Sequence, residues 1–333
     1  MCEPPNPPNL SLSPNETCGT TLASIECRLL QHVAFWLLTA NAQVVPAMTR
    51  RRLDLQSCTF AAAFLAFGAA FGSSNPAPAP GSLLRDNTAQ AFSRYVENVE
   101  SENSRSLRDG PFLWVSDLNS EETQQALASL KSGQVEIRRL STKAHSRNPD
   151  VPGGLIHDWE GMVFIPGVKL DTVLRVLEDY NHQAEYFAPD VERSRIESHD
   201  GNHYRVFLRF HRHNVVTVVL DTEHEVNYFR DSPTRAHSRS SATRIAQVDN
   251  PGEAGEREKT PGDDDGFLWK METWWRMEEK DGGVYVQNEA VTLTRDIPTG
   301  LGWLVEPFIT NIPKETLEFT LQATRKAVLN TSH

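Results

Sequence analysis

The order of secondary-structure patterns in residues 154–331 restricts the possible folds most strongly. This stretch reads as one strand, a short helical segment, a series of long strands and one closing amphipathic helix. Strands joined by short turns pair antiparallel, and a closing helix with one apolar stripe must bury that stripe against another layer. The sequence therefore predicts an α+β fold in which a curved antiparallel sheet grips a long C-terminal helix and leaves an internal cavity.

Turn and helix signals place the individual elements. An opening strand covers residues 155–165, and short helices follow over 171–187. Asp281-Gly282-Gly283 reads as the turn of the last hairpin, because Asp-Gly favours a two-residue turn. The closing helix is predicted over 310–329, after a bend over 298–307 that contains prolines.

With these elements, residues 154–331 resemble the START-like helix-grip superfamily, which includes the birch-pollen allergen family, lipid-transfer START domains and polyketide cyclase-like proteins. The supporting features are the strand 155–165, the helices over 171–187, Pro189-Asp190-Val191 before the sheet, and Gly302-Trp303 and Pro307 before the terminal helix. The resemblance is one of topology and includes no short motif. It implies a hydrophobic cavity between sheet and helix, often for lipids, sterols or polycyclic aromatics, although fold alone does not transfer function.

Composition and missing motifs narrow the possible functions. The net charge of −11 and the pI near 5.5 argue against nucleic-acid binding, which needs clustered Lys and Arg. All four cysteines lie in the first 58 residues, so the remainder has neither a disulfide framework nor a Cys-based metal site. There is no glycine-rich phosphate loop, nucleophile elbow or zinc-protease motif. The sequence favours a binding protein over an enzyme, with neither cofactor nor metal.

Residues 48–72 have the layout of a secretory signal peptide that begins at the internal Met48. Three arginines at 50–52 form a positive region, 58–71 is an apolar run, and Ala70 and Gly72 are small residues before a cleavage position. The predicted location is secreted or periplasmic, with no stable membrane span after cleavage. A membrane anchor through 58–71, or a buried core helix there, is the alternative.

The remaining chain divides around this segment. Residues 1–47 are interpreted as a spurious or disordered leader, and 73–82 as a Pro/Ala/Ser linker. Residues 83–153 are predicted to form a small, mostly helical N-terminal extension. Residues 154–331 form the helix-grip domain.

The candidate ligand-binding residues are large apolar side chains. In the predicted strand 268–278, alternation puts Trp269, Met271 and Trp275 on one face, which suits either a packed core or a cavity wall. The residues predicted to line the ligand site are Trp159, Tyr180, Tyr204, Leu208, Met271, Trp275, Trp303 and Phe308. Trp274 falls on the polar face and is predicted to lie under the charged loop 249–266 or at a partner surface. The expected partner is a hydrophobic or amphipathic small molecule.

Two other functional classes stay open. Asp158 and Glu160, with Tyr180 orienting a substrate, are weak candidates for a cyclase- or hydrolase-like general acid/base, provided that a carboxylate points into the cavity. The non-catalytic alternative is that both carboxylates lie on the outer face of the strand. His211 and His213 share one side of a strand, but no carboxylate lies beside them to complete a metal site. The third possibility is a non-catalytic interaction module with a filled core.

Overall fold

The structure is a computed structural model that describes the chain in four segments. These segments are residues 83–140, 151–213, 217–296 and 302–331, with the side chains of the last segment described from residue 311. No helix in this part of the chain is both long and apolar enough to cross a membrane.

The predicted leader, signal-like segment and linker, residues 1–47, 48–72 and 73–82, lie outside the described residues.

One antiparallel sheet forms the body of the described chain. Its strand order is β1-β2-β9-β8-β6-β5-β4-β3, and the short β7 pairs with β6. The strands are β1 Glu136–Arg139, β2 Gly154–Pro166, β3 Val191–Asp200, β4 His203–His213, β5 Thr217–Ser232, β6 Arg235–Asp249, β7 Arg257–Glu258, β8 Lys270–Lys280 and β9 Gly283–Arg295. Asp281 and Gly282, with φ of 58° and 79°, form the predicted β8–β9 turn, since a type I′ turn needs two positive φ values.

Helices lie on both sides of this sheet. They are α1 Asp86–Asp109, α2 Ser120–Lys131, α3 Leu170–Glu178, α4 Gln183–Tyr186 and α5 Gly302–Thr331, with a 3-10 turn at Trp114–Asp117. We call the side that faces α5 the concave face and the opposite side, which α1 and α2 cover, the outer face. Each strand alternates between the two, so odd-numbered residues of β2 face α5 and even-numbered ones face α1 and α2.

The C-terminal helix packs closely on β2 through an apolar stripe. Leu317, Leu321 and Val328 are buried along one side of α5 and share a core with β2, β8 and β9. At Gly161 a Cβ atom would lie 2.6 Å from Leu321 Cδ1, so only glycine allows this close approach. The predicted α+β helix-grip fold, an antiparallel sheet with a long C-terminal helix packed against it, is confirmed.

Two predicted features need correction. The closing helix begins at Gly302 rather than at residue 310 and includes Pro307, because a proline removes one backbone hydrogen bond without necessarily ending a helix. Strand β8 begins at Lys270, so Trp269 precedes the alternation and packs on the outer face with Trp274, Val291 and Leu293.

Trp274 lies under α1, where its indole Nε1 donates to Glu100 Oε2 at 2.8 Å. The prediction that it lies under the loop 249–266 or at a partner surface was wrong, because the N-terminal extension covers it. It is Trp269 that meets this loop, by donating from Nε1 to Asp264 Oδ1 at 3.0 Å.

Candidate ligand-binding site

Small side chains occupy the middle of the concave face. Ala290, Thr273 and Ser240 lie side by side on β9, β8 and β6, and Trp159 of β2 lies next to Ala290. We define the small-residue patch as Ser238, Ser240, Ala242, Thr273 and Ala290. Ser240 and Ala290 keep accessible surface although they lie on the interior strands β6 and β9. The other three members, Ser238, Ala242 and Thr273, are buried, so the accessible surface of the patch is confined to Ser240 and Ala290.

The other end of the same face is tightly packed. Ala236 of β6, Met277 of β8 and Val286 of β9 are at most 1% exposed and share the core with α3 and α5. The concave face is therefore tightly packed at this end and keeps accessible surface at Ser240 and Ala290. A region of this kind is where a fold that grips a helix can hold a small molecule.

Two indole rings border the patch. Trp275 faces Asn288 in the β8–β9 register, and Trp159 faces Ala290 in the β2–β9 register. Both rings are half-buried and contact the main core. They give the patch flat apolar walls that suit an aliphatic or polycyclic ligand.

Three buried polar atoms at this border lack a hydrogen-bond partner among the described residues. They are His157 Nδ1, Trp159 Nε1 and Asn288 Nδ2. The other ring nitrogen of His157 lies 3.0 Å from Thr294 Oγ1. Burial, and after it the charge of Arg139, lowers the pKa of His157 to about 4, so its ring is neutral near neutral pH.

The predicted ligand-lining residues divide between these two regions. Trp159, Met271 and Trp275 lie on the concave face at or beside the patch. Tyr180 and Tyr204 belong to the packed core.

Within that core, Tyr180 Oη lies 2.8 Å from Tyr228 Oη, and its ring centroid lies 5.6 Å from that of Tyr204. Leu208 packs with Phe187, Val191 and Ala323 in a separate cluster. The side chains of Trp303 and Phe308 lie outside the described part of the chain.

Asp158 and Glu160 do not point toward α5. They lie on the outer face, where Tyr95 Oη donates to Asp158 Oδ2 at 2.6 Å and Arg138 Nε donates to Glu160 Oε2 at 2.8 Å. Strand alternation puts them opposite His157 and Trp159, and the N-terminal extension buries them. The acid/base alternative requires a carboxylate in the cavity, and the structure places both carboxylates on the other side of the sheet.

These carboxylates belong to a buried cluster that sequence reasoning did not foresee. We define the outer polar layer as Asp158, Glu160, Glu289, Arg276 and Asn103. Glu289 faces Glu160 in the β2–β9 register and accepts a 2.7 Å hydrogen bond from Asn103 of α1. Burial raises the pKa of Asp158 to about 7, against the lowering effect of the Tyr95 hydrogen bond. Burial also raises the pKa of Glu289, and the charges of Asp158 and Glu160 add to this increase.

We expect the Asp158→Asn variant to be more stable than wild type. The difference in free energy of unfolding should grow as the pH rises from 3.8, the ordinary pKa of this carboxyl group, to about 7, its pKa in the folded protein. In this window the folded wild type holds a proton that the unfolded chain has released, so its stability falls as the pH rises. Urea unfolding of both proteins across the pH series measures the difference.

Comparing the two proteins at each pH isolates Asp158. The buried His157 and His224, each with a pKa lowered to about 4 from 6.5, act in the opposite direction, since their stabilising effect is lost as the pH falls. A stability difference that stays flat or shrinks with rising pH would contradict the placement of Asp158.

Two other features of the described residues do not form the site. No group of three or more His, Cys, Asp or Glu side chains is arranged there to hold a metal ion. A surface depression of about 450 Å³ is lined by Leu107, Phe112, Asp231, Ser232, Thr234, Arg235 and Glu278. It lies away from the small-residue patch, and Arg235 and Glu278 in its wall already neutralise each other at 2.6 Å.

Asn288, Ser240 and Ala290 were missed as site residues. Their sequence signal is weak, because an isolated Asn, Ser or Ala in a strand does not by itself indicate a ligand-binding site. Alternation along β9 and β6 could have placed them beside Trp275, but only with the strand order β9-β8-β6 known. That order is a non-local property of the sheet.

Comparisons with known proteins return similar structures only. No protein-family model and no curated protein matches the sequence. A STAR-related lipid transfer protein from Xanthomonas axonopodis is 18% identical, with a TM-score of 0.36, over 54% of this chain and 95% of its own. An aromatase/cyclase from Streptomyces sp. R1128 is 14% identical, with a TM-score of 0.35, over 54% and 96%. The human StarD13 lipid transfer and protein localization domain is 7% identical, with a TM-score of 0.37, over 63% and 98%. Similarity at this level identifies neither a ligand nor a reaction.

Proposed function

We propose that this protein binds a hydrophobic or amphipathic small molecule between the small-residue patch and α5. The observation that carries the proposal is the residual exposure of Ser240 and Ala290 on interior strands of the sheet. The half-buried rings of Trp159 and Trp275 provide the apolar walls. Burying apolar ligand surface there contributes about 25 cal/mol per Å².

Filling the patch tests this function. Ala290→Phe puts a ring into the space beside Trp159, and we expect it to weaken binding of the apolar dye anilinonaphthalene sulfonate by at least about tenfold, or about 1.4 kcal/mol. The measurement is a fluorescence titration of the full chain with the dye. Energy transfer from tryptophan to the bound dye reports that the dye lies near the indole rings.

A matched variant separates this site from the surface. Phe229 is 43% exposed and stacks on His237, so it is an obvious external site for an apolar dye. Phe229→Ala is expected to leave the dye affinity unchanged. Loss of binding in Phe229→Ala, with wild-type binding in Ala290→Phe, would place the dye outside the patch and contradict the proposal.

We also propose that the protein is exported, on the basis of the signal-like segment 48–72. N-terminal sequencing of the exported protein is expected to find a start close to residue 73. A mature protein that begins before Met48 would contradict this location.

A further inference from the structure

We infer that the ligand is amphipathic and presents an oxyanion, such as a carboxylate, to Arg139, Trp159 and Asn288 at the β1–β2–β9 end of the site. This inference rests on the proposed function, because it names the class of molecule that the same site selects. Its basis is a set of unsatisfied donors and a positive charge on one corner of the concave face.

The unsatisfied groups at this corner include two that can only donate. The indole Nε1 of Trp159 and the amide Nδ2 of Asn288 carry N–H groups and have no partner among the described residues. Asn288 is only 3% exposed. A buried donor without a partner is rare in folded proteins, and each such group calls for an explanation. An acceptor on a bound molecule supplies one.

The register of the sheet brings these donors together. Trp159 faces Ala290, and Asn288 lies two residues along β9, so the two donors are diagonal neighbours on one face. Diagonal neighbours in an antiparallel pair lie about 7–8 Å apart at their Cα atoms, and long side chains can converge across that distance. A headgroup with two oxygens can therefore contact both.

The charge at this corner is positive. Arg139 faces Trp159 in the β1–β2 register, and its guanidinium lies 5.9 Å from the centroid of the Trp159 ring. Among the described residues of β1, β2 and β9, none of those on the concave face carries a carboxylate, since Asp158, Glu160 and Glu289 are on the outer face. A guanidinium beside N–H donors favours an anionic oxygen over a neutral one.

The test compares two ligands that differ only in the headgroup. We expect the full chain to bind a long-chain fatty acid at least about tenfold more tightly than the primary alcohol of the same length. Arg139→Gln is expected to remove this preference and leave the affinity for the alcohol unchanged. Binding of the acid is also expected to raise the pKa of His157, because a nearby anion stabilises the imidazolium. This change is measurable by NMR titration.

Two tryptophan variants provide the matched control. Trp159→Phe removes the indole donor at the site and is expected to weaken binding of the acid. Trp114→Phe removes another buried indole donor that has no hydrogen-bond partner among the described residues. This indole stacks against Arg138, which pairs with Glu160 on the outer face, so it lies on the other side of the sheet from the site. It is expected to leave both affinities unchanged.

The outcomes separate the inference from the function on which it rests. Equal affinity of wild type for acid and alcohol overturns the oxyanion inference and leaves the binding function intact. Binding of neither ligand, together with no dye binding, overturns both. Equal weakening by Trp159→Phe and Trp114→Phe also contradicts the inference, because it points to a structural effect.

Discussion

Arg276→Met is expected to destabilise the protein by about 3–5 kcal/mol at pH 8, because it removes a cation from a buried layer that holds three carboxylates. Arg276 is buried on the outer face of β8. Burial lowers the pKa of Arg276, and the negative charges of Glu160, Glu289 and Asp231 oppose that effect. Without Arg276, the cation that still pairs with this layer among the described residues is Arg138, which is 38% exposed and contacts Glu160.

The same substitution also releases the N-terminal extension. Arg276 donates hydrogen bonds to Asn103 Oδ1 at 2.5 Å, to Ser106 Oγ at 2.9 Å and to the Phe112 carbonyl at 2.9 Å. These contacts fix the end of α1 and the segment after it to the sheet. We therefore expect faster amide exchange in α1 as well as a lower free energy of unfolding. The loss should be smaller at pH 5, where more of the carboxyl groups are protonated.

Arg235→Met is the matched control for this prediction. Arg235 also lies on the outer face and pairs with Glu278 at 2.6 Å, but its side chain is 47% exposed. The Glu278 side chain is 11% exposed, but the half-exposed guanidinium of Arg235 leaves this pair open to solvent. This variant should therefore lose less stability than Arg276→Met, about 1–2 kcal/mol. Urea unfolding of both variants decides the matter. A loss in Arg276→Met no larger than that in Arg235→Met would mean that the outer polar layer is not a buried electrostatic unit.

Local patterns were sufficient to predict most of the fold. The hairpin turn at Asp281 and Gly282, the opening strand β2 and the apolar stripe of α5 are each encoded within a few neighbouring residues. The start of α5 was misplaced because prolines suggest an end without requiring one. Trp269 was misassigned because alternation does not show where a strand begins.

The candidate site was harder to predict because it depends on which layer covers each face. Alternation along β2 correctly puts Asp158 and Glu160 on the opposite face of the strand from Trp159. It does not show that α1 covers and buries those carboxylates. The roles of Asn288 and Ser240 depend on a strand order that joins residues distant in sequence. The packed arrangement of Tyr180 and Tyr204 likewise depends on tertiary contacts.

Ala236→Phe is expected to destabilise the protein by about 1–3 kcal/mol or more, because it forces a ring into a filled core. Ala236 is 1% exposed and faces Met277 on the neighbouring strand. Ser240 lies on the same strand and the same face, four residues further along, and belongs to the small-residue patch. Ser240→Phe should cost less than about 1 kcal/mol, since the ring enters free space and aromatic residues suit strands.

The difference between the unfolding free energies of Ser240→Phe and Ala236→Phe, measured in urea, tests the central claim without any ligand. Free space above the patch predicts that Ser240→Phe is the more stable variant by at least about 1 kcal/mol, since only Ala236→Phe is overpacked. Equal and large destabilisation by both substitutions would show that side chains fill the whole concave face, as in an interaction module with a closed core, and would contradict a ligand-binding site there.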